Sequence, residues 1–289
     1  MTWTLPDPML STPVPEPDLR PGCAAEPKWD GFRALLSVDA GRVVLRSRRG
    51  TEMAASFPEV VAGAAQLPDA TALDGELVVW DAAGRLAFER LQNRLAQRGA
   101  GAARAAQEWP AHFVAFDLLR LSGTDTTGWP YRRRRAALES VFAARRLIAP
   151  WALCPSTTEA DTVREWLTWA SVGMEGVVFK RLTDPYQPLV RGWEKYKVRE
   201  TSEAIVGAVT GSPAAPAHCC SAGTTPTAAF STSAAPPLSP GRQVLRSPTF
   251  SLQGGAGIRG QAGRSPQSGA ARKNWSSRWW NPSWWWKSA

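Results

Sequence analysis

The stretch Glu26-Pro27-Lys28-Trp29-Asp30-Gly31-Phe32-Arg33 decides how this chain is interpreted. It places Lys28 beside an acid and a flexible glycine, with an arginine shortly after, which suits a lysine nucleophile attacking a nucleotide phosphate. Such a nucleophile must be deprotonated, and desolvation or a nearby cation favours that state, while Asp30 is an alternative group to hold and orient the ammonium. A K-x-D-G tetrapeptide alone arises by chance in roughly one chain of this length in thirty, so a solvated surface lysine is the default interpretation.

Further segments of matching chemistry follow in order along the chain and provide context for Lys28. They combine charged residues with apolar, strand-like runs: Ser47-Arg48-Arg49-Gly50-Thr51, Leu73-Asp74-Gly75-Glu76-Leu77, Phe113-Val114-Ala115-Phe116-Asp117-Leu118-Leu119, Glu175-Gly176-Val177-Val178-Phe179-Lys180 and Trp193-Glu194-Lys195-Tyr196-Lys197. Each segment is a weak signal alone, but their order argues against coincidence.

As an ordered set, these segments resemble the motifs of the ATP-dependent DNA ligases, most closely the small bacterial ligases of repair type. That family lies within the covalent nucleotidyltransferase superfamily, which includes RNA ligases and mRNA capping enzymes. The resemblance spans residues 9 to about 210. It implies an α+β fold, in which an adenylation (nucleotidyltransferase) domain has two mainly antiparallel sheets flanked by helices.

The resemblance implies that Lys28 forms a phosphoramidate with the AMP moiety of ATP. Glu26 would accept a hydrogen bond from the adenine amino group, and Phe116 would stack on the adenine ring. Arg33 and Arg48 would hold the ribose or a phosphate, because the fixed fork of arginine suits such oxygens. The implied reaction is that of a DNA ligase, in which AMP moves from lysine to the 5′-phosphate of a nick and the 3′-hydroxyl then displaces it.

Mg²⁺ is the implied metal cofactor. Glu76 would meet the ribose hydroxyl or the metal, and Glu175 would bind the metal, since Mg²⁺ usually takes one or two carboxylates with phosphate oxygens and water. Lys180, Lys195 and Lys197 would neutralise charge on the α-phosphate as pyrophosphate departs. Phosphoryl transfer depends mainly on positioning and charge stabilisation, so several cations around one reactive group are expected.

Structural interpretations compete with several of these roles. Phe116 would by default belong to the core, and Glu76 could face solvent across a hairpin. Lys195 and Lys197 alternate, so they could form one exposed strand face. The four arginines at 132–135 open a predicted helix and are interpreted as a solvated face, outside the site.

Hydrophobic patterning predicts hairpins and separate helices. Apolar runs predict strands at 34–38, 42–47, 73–80, 85–88, 112–119 and 176–180, and helical spacing occurs at 57–67, 88–98, 132–146 and 159–172. Because strands follow strands instead of alternating with helices, a doubly wound parallel sheet is disfavoured.

Composition divides the chain into four predicted parts. They are an extended proline-rich lead-in at 1–24, the adenylation domain at 25–202, a remnant of the first OB-fold strand at 203–211, and a low-complexity, disordered tail at 212–289. In the resembled family an OB-fold follows the last quoted segment, orients pyrophosphate and clasps DNA. Its near absence predicts a nucleotide-binding core with weak or no complete ligation.

The tail accounts for most of the net positive charge of the chain. Of the 34 basic residues, eight lie in 212–289, where there is no acid, so the other 26 face 25 acidic residues and leave the body nearly neutral. Six of the 15 tryptophans lie in 275–286. We interpret the tail as the product of a frame slip in a GC-rich gene, in which GTG valine codons read one base on become TGG; a stacking platform for single-stranded nucleic acid is the alternative.

The four cysteines form no C-x-x-C pair, which argues against structural zinc and a disulfide framework. No signal peptide or apolar run of membrane-spanning length is present, so a cytoplasmic protein is expected. The resemblance implies nicked double-stranded DNA as the partner, and we expect a monomer. Two other functions stay open. They are an RNA ligase or capping-type nucleotidyltransferase, and a non-catalytic relic that binds nucleotide or DNA.

Overall fold

A computed structural model of the protein describes residues 3–169, 173–198, 205–212, 215–223 and 231–234. It divides into two compact units, Met1–Arg199 and Glu200–Ala289. In the first unit the strands are β1 (Leu10–Pro13), β2 (Cys23–Trp29), β3 (Phe32–Asp39), β4 (Arg42–Ser47), β5 (Thr71–Val79), β6 (Ala111–Leu121), β7 (Thr124–Asp125), β8 (Trp151–Leu153), β9 (Met174–Arg181) and β10 (Arg191–Lys197). The helices are α1 (Pro58–Gly63), α2 (Phe88–Leu95), α3 (Gly99–Glu108), α4 (Tyr131–Arg145) and α5 (Ala160–Trp166), with short 3-10 turns at Ala54–Ser56 and Ala64–Gln66.

Two sheets form the first unit. The first sheet has the order β1-β10-β9-β2, with β1 and β10 parallel and the other neighbours antiparallel. The second sheet has the order β4-β3-β5-β6-β7, all antiparallel, and β8 lies parallel beside β6. Helix α4 packs on β6, α2 on β5 and α5 on β9. The prediction of an α+β fold with two mainly antiparallel sheets is confirmed.

A small cluster of apolar side chains joins the two sheets, next to the candidate active site. It contains Met9, Tyr186, Leu35 from β3, Leu119 from β6 and Trp193 from β10, all of them buried. A larger core, built on Leu73 and Phe113 from the centre of the second sheet, lies under α4. Burial of large apolar side chains at these positions is the main stabilising term of the unit.

Secondary structure differs from the sequence predictions in a few places. The predicted strand at 85–88 contributes only a bridge between Trp80 and Leu86, because Phe88 opens α2 and packs edge-on against Phe32 with ring centroids 5.4 Å apart. Helix α3 was not predicted, since the apolar residues of its sequence GAGAARAAQE are all alanine or glycine and give only a weak hydrophobic signal. The proline-rich lead-in contains β1, which pairs as an edge strand, where proline is tolerated.

The second unit contains three antiparallel strands, β11 (Ile205–Ser212), β12 (Ala215–Gly223) and β13 (Ser231–Ala234), in sequence order. Strand β11 overlaps the strand predicted at 203–211. Strands β12 and β13 lie in the segment predicted to be disordered, so the structure differs from that prediction there. The reason is that antiparallel neighbours satisfy their backbone groups by mutual pairing, which does not depend on apolar periodicity. The tryptophan-rich part at 275–286 lies outside the described residues.

Across the described ranges, no helix combines the length and the apolar character needed to cross a membrane.

Candidate active site

Strand β2 presents Glu26 and Lys28 on one face, because successive side chains of a strand alternate between faces. The strand is buried along most of its length, yet the side chain of Lys28 keeps 24% of its surface exposed. Across the sheet, Gly176 of β9 lies opposite both Lys28 and Lys197 of β10. Lys28 and Lys197 therefore lie on the two strands that flank β9, and the residue between them, Gly176, has no side chain.

A bulge in β9 brings Glu175 to these lysines. Lys28 pairs with Gly176 and Trp29 with Met174, so Glu175 is the extra residue of β9. Such bulges redirect side chains. Gly176 has φ +152°, and a Cβ there would lie 2.0 Å from the carbonyl oxygen of Tyr196, so the bulge requires glycine.

The Glu175 carboxylate bridges two ammonium groups. Its Oε2 lies 2.5 Å from Lys28 Nζ and 3.0 Å from Lys197 Nζ. Burial opposes its ionisation, but hydrogen bonds and charges from the two lysines outweigh burial and hold the pKa of Glu175 at about 2. Burial, followed by a hydrogen bond and repulsion from Glu175, raises the pKa of Asp30. The structure therefore places Glu175, and not Asp30, in direct contact with the Lys28 ammonium.

Lys195 adds to a group of cations around Lys28. Burial lowers the pKa of Lys195, and the positive charges of Lys28, Lys197, Arg48 and Arg191 lower it further. Arg48 is exposed, and its backbone N–H donates to the carbonyl of Arg33 at 3.1 Å, at the start of β3. This concentration of positive charge at one edge can attract and hold a polyanion.

The second sheet contributes Glu76, which pairs with Arg33 in the β3–β5 register. Glu76 comes close to the β2–β3 turn, since a Cβ on Gly31 would lie 2.8 Å from Glu76 Cγ and 2.4 Å from the carbonyl oxygen of Leu77. Burial raises the pKa of Glu76 to about 8, and the charges of Lys28 and Arg33 counter this only in part. Glu76 therefore lacks a full counter-charge, which fits a role in holding a cation.

We expect Glu76 to destabilise the folded protein as the pH rises from about 5 to 8. Its pKa is raised from 4.5 to about 8, so in this range the folded state keeps a proton that the unfolded state has released, and stability falls with rising pH. In urea titrations at pH 8, the free energy of unfolding of Glu76→Gln should be roughly 1–3 kcal/mol higher than that of the wild type. At pH 4.5 the two free energies should be the same. Glu89→Gln, on the exposed side of α2, is the control; an identical pH slope in both variants contradicts this account.

Arg33 is largely engaged by the protein. It forms a two-point ion pair with buried Asp74 (Nε–Oδ1 3.1 Å, Nη2–Oδ2 2.6 Å) and donates to the carbonyl oxygen of Met9 at 2.6 Å. Its guanidinium carbon also lies 5.6 Å from the Phe116 ring centroid and 4.9 Å from that of Trp193. Arg33 thus lines the space between the sheets with its orientation already fixed.

Glu26 and Lys180 form a buried ion pair beside Phe116. Lys180 Nζ lies 2.6 Å from Glu26 Oε2, donates to the Phe116 carbonyl oxygen at 2.9 Å, and is 4.7 Å from the Phe116 ring centroid. The Lys180 side chain is 1% exposed. The structure therefore places Lys180 with Glu26, apart from the partly exposed lysines that share Glu175. Phe116 is partly buried and its ring lies between this pair and Arg33, not wholly in the core.

The interpretation of residues 132–135 as a solvated face is wrong for two of the four arginines. Arg134 is fully buried and pairs with buried Asp117 (Nε–Oδ1 2.7 Å, Nη2–Oδ2 3.0 Å). Arg135 donates to the Cys154 carbonyl oxygen at 2.7 Å and reaches Glu26 at 3.5 Å. The i, i+3, i+7 spacing of Tyr131, Arg134 and Leu138, all buried, marks the inner face of α4 and was the signal available in the sequence.

The described residues contain no cluster of three or more His, Cys, Asp or Glu side chains suited to a metal ion. Mg²⁺ does not need one, because it is commonly held by one or two carboxylates with substrate phosphates and water. Glu76, whose burial is not matched by counter-charge, and Glu175, which already bridges two cations, provide hard oxygen donors of this kind. The residues present therefore fit such an ion.

Comparisons with known proteins agree with this geometry. A family model described as ATP dependent DNA ligase domain matches residues 8–198. DNA ligase C2 of Mycolicibacterium smegmatis is 42% identical over 201 residues, which cover 69% of this chain and 55% of that protein. DNA ligase C of Mycobacterium tuberculosis is 36% identical over 203 residues, covering 69% and 56% respectively.

Solved structures give the same result. The structure of a mycobacterial DNA ligase D complexed with ATP and MES aligns with a TM-score of 0.56 and 31% identity, over 75% of this chain and 67% of that one. The chain spans about half the length of the curated relatives it matches.

Proposed function

The chain belongs to the family of ATP-dependent DNA ligase domains, and on that premise we propose that its first unit transfers AMP from ATP to Lys28 as the opening step of DNA nick sealing. The observation that supports this most directly is the position of Lys28. Its amine lies at the edge of the first sheet, bound to Glu175 and surrounded by other cations. A triphosphate approaching that edge would meet positive charge on several sides.

In the proposed step, the Lys28 ammonium first loses a proton to solvent, which the neighbouring cations favour, and the Nζ lone pair then attacks the α-phosphorus of ATP while a second N–H proton leaves to solvent. An N–P bond forms, the bond from phosphorus to the bridging oxygen breaks, and pyrophosphate carries away the electron pair. Glu175 of the adjacent strand β9 would hold Nζ in place, while Lys195 and Lys197 would face the charge that develops on the phosphate oxygens. These fixed charges act in the transition state without reorganising, which is where electrostatic catalysis gains most.

Mg²⁺ would be held by Glu76 and Glu175 and, when bound, would neutralise phosphate charge. The adenosine would lie between the sheets, with Phe116 against the base and Glu26 at its amino edge. Arg33, kept in place by Asp74, would face the ribose. We keep the roles that the resemblance implies except for Lys180, whose ion pair with Glu26 favours a position beside the base over one at the α-phosphate.

The remaining steps would act on nicked double-stranded DNA. AMP moves from Lys28 to the 5′-phosphate at the nick, and the 3′-hydroxyl then displaces AMP to form the phosphodiester. A covalent lysine–AMP intermediate divides one difficult condensation into easier displacements. Monomeric state and cytoplasmic location stay predictions, as does weak or absent complete ligation.

The test is incubation of the chain with α-labelled ATP and Mg²⁺, followed by denaturing electrophoresis and peptide mapping. We expect label on the peptide that contains Lys28. Competition between ATP and GTP, and between nicked DNA and nicked RNA, separates this function from that of an RNA ligase or capping-type enzyme. Failure to label Lys28 overturns the proposal; labelling without nick sealing supports the first step and confirms the prediction of weak ligation.

Removal of divalent cations should stop the labelling. We expect EDTA to reduce the rate at least about 100-fold, because the phosphate charge loses its counter-ion. Glu76→Gln should raise the Mg²⁺ concentration for half-maximal rate about 10-fold, since a neutral amide is a weaker ligand for this hard cation. The rate is measured across a Mg²⁺ titration with Glu89→Gln as control. An unchanged Mg²⁺ requirement in Glu76→Gln removes Glu76 from the metal site.

A further inference from the structure

The carboxylate of Glu26 is the most restrained acidic group near the site. Tyr131 Oη donates to Oε1, Arg135 Nη1 lies 3.5 Å from the same oxygen, and Lys180 Nζ lies 2.6 Å from Oε2. Glu26 is 2% exposed. Three donors from two separate elements, α4 and β9, therefore fix both oxygens of one buried side chain.

These contacts leave Glu26 with little unused hydrogen-bonding capacity. An ionised carboxylate offers about four lone-pair sites and no donor. Three of these are directed at Tyr131, Arg135 and Lys180, so about one site stays free for a ligand. That site can only accept a hydrogen bond.

Helix α4 supplies two of the three donors, and each is held by further contacts. Arg135 also donates to the Cys154 carbonyl oxygen at 2.7 Å and to Glu139 Oε1 at 2.6 Å. Burial, and next the charge of Glu26, raises the pKa of Tyr131 well above its usual value, so its hydroxyl stays a donor at neutral pH. The α4 side of the network is therefore pre-oriented before any nucleotide binds.

We propose that Tyr131 and Arg135 are positioning residues that set the nucleobase selectivity of this site, acting through Glu26. The inference rests on the proposed function, in which Glu26 meets the amino edge of adenine. A base that presents an N–H to the free lone pair of the Glu26 carboxylate is accepted. A bare C–H leaves that lone pair without a donor, and a carbonyl oxygen is repelled by it. Buried polar groups left without a partner are the strongest source of discrimination against near-isosteric ligands.

The experiment compares equilibrium binding of ATP with that of purine riboside triphosphate, which lacks the amino group, by titration calorimetry. We expect the wild type to favour ATP by roughly 10- to 100-fold. Tyr131→Phe and Arg135→Gln should each lower that ratio about 5-fold or more, because Glu26 can then rotate away from the base. Arg135→Lys, which keeps the charge, should recover part of the ratio, and Arg132→Gln on the exposed side of α4 should leave it unchanged.

Thermal unfolding of each variant establishes that the compared proteins are folded. If folded Tyr131→Phe and Arg135→Gln bind the two nucleotides in the wild-type ratio, the inference is overturned. A wild type that shows no preference for ATP overturns it as well. Binding is measured here without catalysis, so the two proposals can fail separately. If the protein binds ATP selectively but Lys28 is not labelled, the proposed function is overturned and this inference is supported.

Discussion

Lys28→Arg is expected to abolish AMP transfer to the protein, with a loss of more than about 10⁴-fold in rate. In the wild type, Glu175 Oε2 lies 2.5 Å from the charged Lys28 amine. Arginine keeps that positive charge, so the ion pair between β2 and β9 is retained. It cannot act as the nucleophile, since a guanidinium does not lose its proton in proteins. The change thus removes the reactive lone pair while leaving the electrostatics of the site nearly intact.

The loss in Lys28→Arg is measured as label per protein after denaturation. Lys28→Ala should show the same loss but also weaken nucleotide binding, because Glu175 then loses one of its two cations. Arg104→Lys, exposed on α3, serves as a control with the reverse exchange at a position outside the site. Residual labelling of Lys28→Arg above about 1% of the wild type would place the covalent bond on another residue.

Gly176→Ala is expected to cause the second largest loss, about 100-fold or more in label transfer, with a decrease in stability of roughly 2–4 kcal/mol. The added Cβ would lie 2.0 Å from the Tyr196 carbonyl oxygen, on a backbone with φ +152° that alanine rarely adopts. The β9–β10 pairing must shift to accommodate it. Glu175 would then move away from both Lys28 and Lys197.

The control for Gly176→Ala is Gly41→Ala. Gly41 also has positive φ, at +77°, but a Cβ there meets no atom within 4 Å. It therefore reports the cost of backbone strain alone, about 1 kcal/mol, without affecting labelling. Urea unfolding and label transfer are measured on both variants. Wild-type labelling by Gly176→Ala would show that the bulge does not position Glu175 for the reaction.

Much of the fold and most of the site follow from short sequence patterns. The alternation of Lys195 and Lys197 predicts that they share one face of a strand, and both lie on β10. Side chains whose positions depend only on the two-residue period of a strand are therefore predictable.

Other features depend on tertiary contacts that no local pattern encodes. The bulge at Glu175 exists only because Met174 and Gly176 pair with two consecutive residues of β2. The burial of Arg134 depends on Asp117, 17 residues earlier in the chain. Four consecutive arginines suggest solvent exposure by composition, and only the pairing with buried acids reverses that expectation for two of them.

The parallel pairing of β1 with β10 has a consequence for how the chain folds as it is made. Leu10 aligns with Arg191, so the first strand waits for the last strand of its sheet to be synthesised. At ribosomal speeds the delay is about 10–35 s. During that time β1 has no partner strand beside it, and such open edges invite pairing with other chains. A nascent polypeptide released before residue 191 would keep that edge open permanently, and we expect it to aggregate.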